Sequence, residues 1–243
     1  MNDTIKSTLE NLLNRNLEVL KSTSLEKMFD EILNENPKVF DADLGVLTDL
    51  FDDDDIKNLK KAKKNPKLIS AFENAKNMEF DNKEIISALK KDILNSISEL
   101  KNKIDPKKGL KNQLIFLEYD HEPCAYFYGF GKGNYPILKQ PEYFEFSSSE
   151  LYAGVGKVDY GMIWKELTTI NEILEDLDVY DHVWETELYQ SLLNFTKFKT
   201  YLFLHEAFNQ IGIKAFNTIE IEKPLMIYGR EHDCEPITVY AFE

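Results

Sequence analysis

The sequence predicts an α+β fold: an N-terminal all-helical region followed by a mainly antiparallel sheet with two long helices packed on it. Three observations lead there. Apolar residues over 1–104 recur at helical spacing, while those beyond 105 gather into short β-branched and aromatic runs separated by two helical stretches. The composition also changes abruptly between the two parts. Residues 1–104 carry 17 Lys and Arg against 20 Asp and Glu, and residues 105–243 carry 12 against 23. Most of the net charge of −14 therefore belongs to the second part, with all 12 Tyr, both Trp, all four His and both Cys. Ile104-Asp105-Pro106-Lys107-Lys108-Gly109 supplies the break, so 1–104 is expected as a helical domain and 105–243 as an acidic, aromatic-rich α+β domain.

Within 1–104, Ile5, Leu9, Leu12, Leu13, Leu17 and Leu20 recur mostly three or four apart and share one face of an opening helix. A second helix follows Thr23-Ser24, with Leu25, Met28, Phe29 and Ile32 inward. It stops at Asn36-Pro37, because a residue before proline is pushed out of helical backbone. Leu44, Leu47, Leu50 and Phe51 around Gly45 make a third, shorter helical stripe. A fourth helix begins near Pro66 and buries Leu68, Ile69 and Phe72. Asp81 and Glu84 have N-cap and N3 spacing, and Ile86, Leu89, Ile93, Ile97, Leu100 and Ile104 carry a fifth helix for about five turns. The Asp52-Asp53-Asp54-Asp55 run lacks the alternating ligands and central glycine of a calcium loop. Followed by Lys57, Lys60, Lys61, Lys63 and Lys64, it reads as acid at a helix start and base further along, which complements the helix dipole. Helices without a chemical cluster point to a scaffold or docking surface.

In the second part, Gln113–Tyr119 and Ala125–Phe130 are strand-like runs split by Asp120-His121-Glu122-Pro123-Cys124, which reads as a hairpin. Tyr143–Phe146 is a candidate short strand. One helix is expected from about Tyr160 to Leu177, and another from an Asp181 cap to about Ile211. Pro224–Tyr228 and Ile237–Phe242 close the chain as a second strand pair.

The two hairpin turns echo one another. The first reads Tyr119-Asp120-His121-Glu122-Pro123-Cys124 and the second Arg230-Glu231-His232-Asp233-Cys234-Glu235-Pro236. Each has an acid before a histidine, a nearby cysteine and Glu-Pro close to the returning strand. Asp120, His121, Glu122, Glu231, His232, Asp233 and Glu235 are accordingly the candidate partner-binding residues. His121, Cys124, His232 and Cys234 are chemically sufficient for a zinc site, although no CxxC or HxxxH spacing joins them. That set defines an alternative reading, a metal-dependent hydrolase.

Other motifs fall short. His205-Glu206 is followed by Asn209 where a zinc-protease helix needs its second histidine, so His205 is expected as a hydrogen-bonded core residue. His182 is most simply a surface residue at a helix start. Gly129–Asn134 has the glycines of a phosphate loop without its spacing, and Ser147-Ser148-Ser149 lacks the glycines of a nucleophile elbow. A strongly acidic chain repels phosphate backbones, no apolar run is long enough for a membrane span, and the first residues lack the order of a signal peptide. Two cysteines fit a reducing cytoplasm. No cofactor is called for. The expectation is a non-enzymatic cytoplasmic module that captures a basic protein partner. Its acid and aromatic content is shared in general terms with inhibitors of basic nucleases and bacterial immunity proteins.

Overall fold

The computed structural model describes residues 1–35, 38–41, 46–49, 51–104, 111–120, 122–133, 135–136, 150–232 and 234–243. Their elements, in order, are α1 (Asn2–Ser22), α2 (Leu25–Glu35), β1 (Lys38–Asp41), β2 (Val46–Asp49), α3 (Asp53–Lys63), α4 (Pro66–Lys76) and α5 (Asn82–Lys103). There follow β3 (Asn112–Tyr119), β4 (Cys124–Phe130), β5 (Glu150–Asp159), α6 (Gly161–Asp176), α7 (Tyr180–Trp184), α8 (Glu187–Ile211), β6 (Ile221–Glu231) and β7 (Ile237–Phe242). The class is the predicted one: N-terminal helices, then a mixed, mostly antiparallel five-stranded sheet with long helices against it. The chain divides into two compact units. One comprises Met1–Leu12, Phe80–Ile163 and Phe198–Glu243, and the other Leu13–Glu79 and Trp164–Lys197.

The first unit holds the five-stranded sheet, in the order β5-β4-β3-β6-β7. Both predicted strand pairs form as antiparallel hairpins, β3 with β4 and β6 with β7. They join through a parallel β3–β6 contact at the centre. As a central strand, β3 buries Leu114, Ile115, Phe116 and Leu117 completely, which accounts for its unbroken apolar run. α5 packs closely on β5. Gly156 has φ +68°, and a Cβ there would stand 2.7 Å from the Ser96 Cα, so this crossing requires glycine. The end of α8 lies over β6 and β7: Tyr201 fills the space above Gly229, and Phe208 stacks on Tyr240.

The second unit is built on helix ends that the sequence sets firmly. Asp52 caps α3, accepting from the Asp54 and Asp55 N–H groups, while Asp55 returns a bond to the Asp52 N–H. The acidic run is thus a capping box, with Lys60, Lys61 and Lys63 in the last turn. Asn65 caps α4 ahead of Pro66. Met28, Phe29, Leu59, Leu68 and Phe72 are buried, whereas Ile69, expected inward, is exposed.

Three features depart from the sequence reading. Of the stripe at 44–51, Val46–Asp49 form β2, paired antiparallel with β1, rather than a helix, and Leu44, Gly45 and Leu50 lie outside the described residues. Spacings of three and four can also arise in a stretch with β-branched residues such as Val46-Leu47-Thr48. β5 has no counterpart in the sequence reading because its two glycines depress β-propensity. The helix expected from Asp181 is two helices. Thr186 breaks it, donating to the Val183 carbonyl and accepting the Tyr189 N–H at the start of α8. Asp181 lies inside α7, whose N-cap is Val179. The candidate strand Tyr143–Phe146 lies outside the described residues. No helix among the described residues is long and apolar enough to cross a membrane.

Candidate functional site

The parallel pairing of β3 with β6 decides where the chemistry collects. Parallel neighbours run in one direction, so the turns that follow them leave the sheet at the same end. Tyr119 stands opposite Glu231, and the His232 main-chain N–H donates to the Tyr119 carbonyl at 2.8 Å. The echoing loops at 120–124 and 231–235 are therefore neighbours.

Beneath them lies Glu118, a carboxylate only 6% exposed and the one charged residue of β3. Arg230, opposite it across the parallel pair, donates from Nε and Nη2 to Oε2. His232 Nδ1 donates to the other oxygen, Oε1, at 3.0 Å. A buried carboxylate survives this burial because both oxygens meet donors and a fixed cation offsets its charge. The guanidinium also lies 5.0 Å from the Phe116 ring centroid, and the edges of Phe130 and Tyr228 fix that ring in turn.

Cys124, Tyr126 and Tyr128 alternate along β4 and so share one face, with Tyr126 opposite Glu118. The Cys124 thiol faces Glu122 Oε2 at 3.5 Å and the Tyr126 hydroxyl at 3.9 Å. Burial pushes the thiol above its ordinary range, so it stays protonated at neutral pH and is a poor nucleophile. Together these groups border an open cleft of about 560 Å³. Glu118, Asp120 and Glu122 supply carboxylates, Tyr126 and Tyr128 supply rings, and His232 lines it as well.

Of the predicted residues, the structure brings Asp120, Glu122 and His232 to this cleft. Glu231 ends β6 opposite Tyr119, and Glu235 and Cys234 are exposed in the turn, none of them lining the cleft. His121 and Asp233 lie outside the described residues. Of the alternative zinc ligands, Cys124 and His232 reach the cleft. Among the described residues, no three His, Cys, Asp or Glu side chains are grouped to hold a metal ion. Sequence reasoning missed Glu118, Tyr126, Tyr128 and Arg230. A charged residue inside the apolar run of β3 was the available signal.

The second unit has its own acidic cavity, of about 400 Å³, lined by Asp55, Glu175, Asp178, Tyr180, Asp181 and His182. His182 is not the plain surface residue expected. Its Nε2 lies 3.1 Å from Asp55 Oδ1, and its ring meets Phe51 edge-on at 4.8 Å. The Asp52 main-chain N–H holds the Asp55 carboxyl below its ordinary value; burial opposes it, and His182 adds to the lowering. His205 is the core residue expected, with Nδ1 donating to the Val239 carbonyl at 2.8 Å.

The chain matches no family model, no curated protein and no solved structure.

Proposed function

We propose that the chain is a non-enzymatic binding module that captures a basic protein partner through the cleft at the shared end of β3 and β6. One observation carries the reading: carboxylates and tyrosine rings border the same cleft, assembled from both hairpins. Its acids attract Lys and Arg side chains, and its rings offer rigid contact area and a face for a guanidinium or ammonium group. The excess of acid over base in 105–243 speeds the approach of such a partner. Sequestration of a basic protein, as immunity proteins perform it, is the role this chemistry suits.

The test is binding of small basic proteins and of Arg- and Lys-rich peptides, at low and high salt, to the full chain and to an Asp120→Asn/Glu122→Gln variant. Tight, salt-sensitive binding is expected, with a loss of about tenfold or more in the variant. If none of these cationic probes binds at low salt, or if the double substitution leaves affinity unchanged, the reading is wrong.

A further inference from the structure

A cluster of carboxylates draws lysine and arginine alike; what separates the two is the surface each meets on arrival. A guanidinium has a flat face for a ring and an edge of N–H groups for a carboxylate, and it uses both at once. An ammonium is a compact, strongly hydrated point charge whose donors radiate from one atom. The sheet unit shows both habits. Arg230 donates from Nε and Nη2 to Glu118 Oε2 while its guanidinium lies 5.0 Å from the Phe116 ring centroid. Lys199 stands over the Phe80 and Phe203 rings at 5.1 and 4.9 Å, and among the described residues no carboxylate joins it there.

Strand register builds the seat that Arg230 occupies. Phe116 and Glu118 alternate on β3 and share one face, and Arg230 stands opposite Glu118 on β6. On the other side of β3, antiparallel pairing sets Tyr126 opposite Glu118 and Tyr128 opposite Phe116. These two rings, neither fully buried, border the cleft together with the exposed Asp120 and Glu122. Glu122 Oε2 lies 3.5 Å from the Cys124 Sγ, which lies 3.9 Å from the Tyr126 hydroxyl. A ring and a carboxylate thus meet about one sulfur atom, close enough for one planar cation to reach both. The parts that hold Arg230 on one side of Glu118 recur on its other side, facing the cleft.

We infer that the cleft selects arginine over lysine in its partner, and that Tyr126 is the residue that makes the distinction. The partner's guanidinium lies on the Tyr126 ring and directs its N–H edge to Glu122, as Arg230 lies against Phe116 and directs its own to Glu118. A lysine meets the same carboxylates without combining the fork with the ring contact, so it gains the attraction and less of the fit. Capture of a basic partner by this cleft, as proposed above, is the premise; which basic side chain it reads is what Tyr126 adds.

The experiment measures binding of two peptides identical in length and charge, one carrying arginines and the other lysines at the same positions, at low salt. The full chain should bind the arginine peptide about tenfold tighter. Tyr126→Leu should bring that ratio to about one, and Tyr126→Phe, which keeps the ring, should restore it. In the unaltered chain the arginine peptide should also displace the Tyr126 ring proton resonances, which the lysine peptide leaves nearly in place, a measurement that needs no variant. Equal affinity for the two peptides, a preference that survives in Tyr126→Leu, or Tyr126 resonances that both peptides move alike overturns the inference and leaves capture itself standing. If neither peptide binds, capture fails and the inference falls with it.

Discussion

Two places in the molecule set a histidine against a carboxylate beside an acidic cavity, and they differ in what the carboxylate does for the fold. In the sheet unit, Glu118 is nearly buried and its oxygens are taken by Arg230 and His232. In the second unit, Asp55 belongs to a helix start, and His182 adds to a bond already made with the Asp52 N–H. The first carboxylate is a buried charge that needs its partners. The second is a surface cap that gains a partner. Similar pair chemistry therefore implies different dependence on that pair, with burial as the deciding variable.

The sharpest way to break this comparison is to remove each carboxylate in turn. Glu118→Ala leaves Arg230 without its buried counter-charge and is expected to cost about 3 kcal/mol in urea unfolding. Asp55→Ala loses one side of a capping box and a histidine contact, at about 1 kcal/mol. Equal losses would show that the two sites are held in the same way. A smaller effect is expected in acid. Because the folded protein holds the Asp55 carboxyl below its ordinary 3.8, the stability it contributes is fully present above that pH and is lost as pH falls through the lower folded value. The stability gap between the unaltered chain and Asp55→Asn should therefore narrow below that pH; a constant gap would mean that Asp55 is not held ionised by the fold. The smallest effect separates the cavities as binding surfaces. Glu175→Gln/Asp181→Asn, on the rim of the second cavity, should leave capture of basic probes within about twofold of the unaltered chain. A loss as large as that from the cleft substitutions would move the binding surface to the other unit.

Much of the fold could be read from local chemistry. The caps at Asp52 and Asp81 are sequence-local, and the two hairpins follow from alternating strand-like runs around polar turns. What could not be read depends on partners distant in the chain. β5 is a strand because α5 crosses it where Gly156 admits Ser96, and no pattern inside Glu150–Asp159 announces that. The candidate site shows the same division. The echo between the turns marked Asp120, Glu122 and His232. Glu118 and Arg230 stayed hidden because their pairing depends on the β3–β6 register, which neither strand encodes alone.

That register also gives the cleft a history. β3 and β6 are neighbours in the sheet but are separated in the chain by β4, β5, α6, α7 and α8. A contact so distant in sequence carries a larger loop-closure cost than local hairpins and helices, and is expected to close after them. Glu118 waits for Arg230 and His232, and until β6 docks its carboxylate has neither partner. A chain that has formed its helices and its first hairpin still has no cleft, so the cleft is complete only once β6 has joined the sheet.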